Sequence, residues 1–144
     1  MKLEKGVVAL PMILLMGGII VEIAIAGAFI AFYMSQSGFG VKLSDEALAA
    51  AKSGIQDAII KIIRDKSFSV SSGYNLTIGS RSATIIVCRD SYTTSVACDT
   101  ANVGKDEIIS TGSATLKRRK LKAIVNVNSV TGEVKIESIE EAAI

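Results

Sequence analysis

The sequence contains no histidine and no tryptophan, one proline and two cysteines, and only 5% of its 144 residues are aromatic. Without histidine the commonest general base and the commonest metal ligand are both missing. Two cysteines, Cys88 and Cys98, do not supply the ligand set of a zinc site. No glycine-rich phosphate loop and no metal-ligand spacing compensates, so the residues give no support to an enzyme and call for no cofactor. The charge balance is also flat, with 16 basic and 14 acidic side chains. Composition by itself therefore provides no field that would gather nucleic acid.

What is abundant is apolar surface in one place. Residues 6–34 form a run in which Glu22 is the single charged side chain. A bilayer core takes about 20 mostly apolar residues as a helix. A secretory signal has an apolar stretch of about 7 to 15 residues ending in a small-residue cleavage site. This run is longer and ends at Met34-Ser35-Gln36, so it reads as a membrane helix. Lys2 and Lys5 precede it, which places the N-terminus in the cytoplasm and everything after residue 35 outside. In that compartment Cys88 and Cys98 are read as a structural disulfide, with two separately packed thiols as the alternative.

Beyond the run, Ser35-Gln36-Ser37-Gly38-Phe39-Gly40 predicts a bend or break, because each glycine costs about 1 kcal/mol against alanine in a helix. Leu43, Ala47, Leu48, Ala51, Ile55, Ala58, Ile59, Ile62 and Ile63 then recur at the spacing of one helix face over 41–66, with Ser44 available as an N-cap. From Tyr74 the period changes to two. Strands are expected at 74–78, 83–88, 107–116, 121–128 and 133–139, with turns at 79–82 and 129–132. The fold class is α+β: a long helix, apolar and then amphipathic, whose striped half covers one face of a small antiparallel sheet of four or five strands. If continuous, about 60 helical residues would extend about 90 Å.

Three stretches carry a resemblance: Gly-Val-Val-Ala-Leu-Pro at 6–11, Ala-Leu-Ala-Ala-Ala-Lys-Ser-Gly-Ile-Gln-Asp-Ala at 47–58, and Ser-Thr-Gly-Ser-Ala-Thr-Leu-Lys-Arg-Arg at 110–119. With Lys5-Gly6 directly before the apolar run, the chain resembles type IV pilin and pseudopilin precursors, and in wording the PilX-like minor-pilin branch. The resemblance implies a leader at 1–6, a transmembrane and filament-core helix at 7–40 and an extracytoplasmic pilin head at 41–144. It also implies cutting between Gly6 and Val7 by a prepilin peptidase, methylation of Val7, and assembly with copies of itself or other pilins after a period in membrane lipid. The rival layouts are a pseudopilin of a secretion machine and a permanently anchored single-span surface protein.

The chain departs from the family at the first and fifth mature positions, where Val7 and Pro11 stand in place of the usual phenylalanine and glutamate. Pro11 suits the first turn of a helix begun at Val7, since it has no N–H to lose. A buried carboxylate could pair with a neighbouring subunit's terminal amine, and Glu22 is the one available within the run. Alternatively it is protonated or hydrogen-bonded locally beside Gly17 and Gly18. Gly17, Gly18 and Gly27 either permit close helix packing or are ordinary membrane composition. The cluster Lys117, Arg118, Arg119 and Lys120 is read as solvated or as a subunit contact in preference to DNA binding, for want of interleaved aromatics.

Overall fold

The computed structural model describes residues 5–92, 98 and 102–144. It contains one helix, α1 (Lys5–Arg64), followed by β1 (Val70–Ile78), β2 (Arg81–Cys88), β3 (Lys105–Ala114), β4 (Lys117–Val127) and β5 (Val134–Ala142). The layout is α+β, with a long apolar N-terminal helix and a five-stranded sheet. Residues Met1–Phe39 and Gly40–Ile144 form two compact units. Most of the leader expected at 1–6 lies outside the described residues, which begin at Lys5.

Of the bend or break expected at 35–40, the break is absent: the helix continues through both Gly38 and Gly40. Nothing lies within 4 Å of where a Cβ on either would stand, so neither is required by a close approach, and two propensity costs do not end a helix of 60 residues. Because the helix does not restart there, Ser44 is no N-cap. Its Oγ instead accepts a hydrogen bond from Arg119 Nε at 2.8 Å.

In the C-terminal unit the strands form an antiparallel meander in the order β1-β2-β3-β4-β5. All five expected strands are present, with ends shifted by up to four residues; β3 stops at Ala114, two residues before its expected end, because Thr115 and Leu116 form the turn into β4. Period-2 alternation sends Ala83, Ile85 and Val87 of β2, Ile108 of β3, and Leu121, Ala123 and Val125 of β4 to one face. That face meets Ala51, Ile55, Ala58 and Ile62 of α1, and together these side chains make the buried core. Each buried Ile or Val side chain stabilises the unit by about 1.5–3 kcal/mol over leaving it exposed. Ile63, on the edge of the predicted stripe, is 57% exposed and stands outside the core.

Two glycines set how closely the layers approach. A Cβ on Gly112 would overlap the Ala47 carbonyl oxygen and stand 2.5 Å from the Ala51 nitrogen. One on Gly54 would overlap Ser110 Oγ and come within 2.9 Å of Ile85 Cγ1. The backbone of β3 therefore lies directly against α1, with Ala47, Ala50 and Ala51 buried at the crossing. A third glycine, Gly73 at φ 78°, accommodates the register shift that lets β1 bend between Val70 and Tyr74.

Candidate functional site: the apolar segment and the polar clusters of the C-terminal unit

Within the N-terminal unit, α1 is long and apolar enough to cross a membrane. From Met12 to Met34 its large apolar side chains are between 48% and 71% exposed, and every residue of 11–39 is exposed. This segment has no face turned to a core. Pro11 lies inside the helix, where a proline lacks the donor for a hydrogen bond to the preceding turn. Gly6 and Val7 are helical in backbone. Gly17, Gly18 and Gly27 have nothing within 4 Å of a notional Cβ, so each leaves a notch on the helix surface. Glu22 is exposed on the same segment and makes no hydrogen bond or ion pair among the described residues.

The C-terminal unit carries its chemistry in four polar groupings. Cys88 and Cys98 are joined in a disulfide with Cα atoms 5.1 Å apart, closing a loop worth about 3 kcal/mol on chain-entropy grounds. The neck of this loop is clamped by carboxylates. Asp106 Oδ1 accepts the Asp90 N–H at 3.0 Å, Asp90 Oδ1 accepts the Gly104 N–H at 2.7 Å, and the Asp90 carbonyl accepts the Asn102 N–H at 2.9 Å. Asp106 is 2% exposed, and its other oxygen has no partner among the described residues. Burial first, and then the negative charge of Asp90, raise its pKa, against the lowering pull of the Asp90 N–H and of Arg89. A cavity of about 300 Å³ beside it is lined also by Lys66, Arg89 and Val127.

On the sheet face away from α1, Glu107 is 2% exposed and pairs with Lys122 Nζ at 2.6 Å. In register Glu107 stands opposite Cys88 on one side and Ile124 on the other, and all three are buried. Lys122 and Lys105 also lie 5.8 Å and 5.3 Å from the ring centre of Tyr92. A third grouping ties α1 to β1: Tyr74 Oη donates to Asp57 Oδ2 at 2.8 Å, Lys61 pairs with the same oxygen at 2.9 Å, and the ammonium stands 3.6 Å from the centre of the Tyr74 ring. Desolvation draws the Asp57 pKa up, but the hydrogen bonds from Lys61 and Tyr74 outweigh it and hold the carboxylate below its ordinary value. Burial and the adjacent carboxylate push the Tyr74 hydroxyl upward.

The basic cluster is divided by the sheet. Arg119 points to the helix side, where it pairs with Glu141 at 2.6 Å and bonds Ser44, while Lys117 and Arg118 are exposed and Lys120 is half-buried. Glu141 of β5 is thus a partner of the cluster, whereas Glu137 of the same strand pairs with Lys105 at 2.8 Å. Sequence reading did not reach Asp106 or Glu107, and it placed Lys122 with the basic cluster and not with Glu107. Charged residues inside an alternating strand pattern were the signal that could have flagged them.

Among the described residues no group of three or more candidate ligands could hold a metal ion. The groupings are ion pairs, clamps and ring contacts that fasten the sheet. Comparison of the chain with protein-family models, with curated proteins and with solved structures finds no match.

Proposed function

We propose that the chain is a structural subunit of a type IV pilus-like extracellular filament, held in the membrane as a precursor and assembled through its N-terminal helix. The observation that carries this reading is the apolar segment at 11–39, exposed on every side while the unit that follows has a complete core of its own. Such a surface requires lipid or other helices around it. The order of elements, one long helix and then an antiparallel meander covered on one face, supports a pilin-like fold. Lys5-Gly6 before the apolar run supports processing by a prepilin peptidase. Gly17, Gly18 and Gly27 supply notches into which neighbouring helices fit.

Glu22 is the charged group such a core has to neutralise, and the terminal amine of a neighbouring Val7 is its partner in this reading. Mass spectrometry of sheared surface material tests the whole: a filament-borne chain beginning at methylated Val7 is expected. Intact Met1 on protein retained in the membrane would leave a single-span anchor instead. Filament yield should fall severalfold in Glu22→Gln, with the C-terminal unit folded as before. Wild-type yield from that variant would remove the ion pair from the mechanism.

A further inference from the structure

At one end of the C-terminal unit, the first helical residues after Gly40 meet the β3–β4 turn and the start of β2. Ser44 accepts from Arg119 Nε at 2.8 Å, and Glu46 pairs with Arg81 at 3.0 Å. This is therefore the end at which the chain arrives from the apolar segment, ten residues after Met34. These ten residues are helical and rise about 15 Å.

The cations at this end fall into two kinds. Arg81 and Arg119 are neutralised by Glu46 and Glu141. Lys117 and Arg118 are exposed and have no ion pair among the described residues. They directly follow a two-residue tip, Thr115-Leu116, closed by the pairing of Ala114 with Lys117. Leu116 is 89% exposed, and Thr115 is held at φ 54°, where glycine is the usual occupant. Val103 and Val130 are as exposed at the opposite end, where cations and carboxylates are mixed: Lys66, Arg89, Asp90 and Asp106 line the cavity beside Val103, and Arg89 is paired with Asp90. What distinguishes the Leu116 tip is an exposed apolar side chain followed directly in the chain by two cations, neither with an ion pair among the described residues.

We propose that the β3–β4 turn docks on the anionic headgroup layer of the membrane that receives the apolar segment, with Leu116 entering the interface and Lys117 and Arg118 facing lipid phosphates. Charge complementarity selects the lipid surface, and the short connection of about 15 Å keeps the turn within reach of it. Duplex DNA is the less suited partner, since its affinity grows with the number of phosphates neutralised and only Lys117 and Arg118 of this cluster are exposed. The inference requires membrane insertion of the apolar segment and is independent of filament assembly.

Amide hydrogen exchange on the full chain tests it, in nanodiscs of phosphatidylcholine, in nanodiscs of phosphatidylcholine mixed with phosphatidylglycerol, and in detergent with or without a DNA duplex. Exchange at residues 115–118 should slow by about tenfold in the phosphatidylglycerol discs, a scale set by two surface cations, and recover with added salt. The double variant Lys117→Glu/Arg118→Glu should abolish the slowing while β2 peptides keep their protection, which shows that the sheet is intact. Peptides from residues 11–34 report insertion separately. Equal exchange in both lipids, slowing that survives the double variant, or protection by DNA but not by phosphatidylglycerol would overturn the proposal.

Discussion

The two parts of α1 follow one backbone rule and opposite side-chain rules. Over 11–39 every residue is exposed and the glycines at 17, 18 and 27 touch nothing. Over 47–62 small and branched residues alternate with charge, Gly54 has no room for a Cβ, and Ala47, Ala51, Ala58 and Ile62 are entirely covered. The first part is written for a surrounding that another molecule supplies, the second for one that the chain supplies itself. The same residue type consequently carries different meanings along one helix.

Glycine offers the most severe way to break that contrast. Gly112→Val places new atoms against the Ala47 and Ala51 backbone, which has no side-chain torsion by which to yield, and should cost more than about 3 kcal/mol. Gly17→Ala should leave unfolding of the C-terminal unit unchanged. Denaturant midpoints of the two variants in detergent decide this, and a comparable loss in both would show that the apolar segment contributes to the fold. Isoleucine repeats the comparison at a smaller scale. Ile62→Ala removes a wholly buried side chain and should lower stability by about 3 kcal/mol, whereas Ile20→Ala, exposed at 67% in the wild type, should lower it by less than about 0.5 kcal/mol.

The smallest effect sharpens the contrast inside the C-terminal unit, between a carboxylate that gains by ionising and one that loses. Because burial raises the folded pKa of Asp106, its favourable contribution is complete below the ordinary carboxylate pKa and is lost as pH rises through the raised folded value. Asp57, whose folded pKa is lowered, contributes above the ordinary value and loses that contribution as pH falls through its own. Asp106→Asn should therefore flatten the decline in stability between acid and neutral pH by about 1 kcal/mol, the scale of one buried polar group left without a partner. Thermal unfolding at stepped pH measures it, and an unaltered slope would remove Asp106 as its source.

Most of the fold was legible because its signals are periodic. The spacing from Leu43 to Ile62 marked the helix stripe, and the alternation through Tyr74, Leu76 and Ile78 marked the first strand. The turn at 129–132 separated the last two strands within a residue of where they part. A break at Gly38 and Gly40 does not occur because propensity is local, while the surrounding helix outweighs two unfavourable residues. Arg119 was legible as a charge, but not as the partner of Ser44, since 75 residues separate them. Asp106 and Glu107 remained hidden for the same reason: their burial depends on which strand and which loop lie over them, and periodicity carries no information about distant neighbours. The close approach at Gly54 and Gly112 was equally silent, because in sequence a glycine that admits a helix looks the same as one that bends a chain.

The strand order also bears on how such a chain could be made. Each strand of the meander pairs with the one synthesised just before it, and no later strand has to insert between two already joined. Contacts of this kind close short loops and form early in folding. A chain that is threaded across a membrane from its N-terminal side can therefore complete its sheet in the order in which residues emerge, with α1 waiting as the surface on which each hairpin settles. Translocation and folding then proceed in the same direction, and the span of unpaired strand exposed at any moment is about one hairpin long.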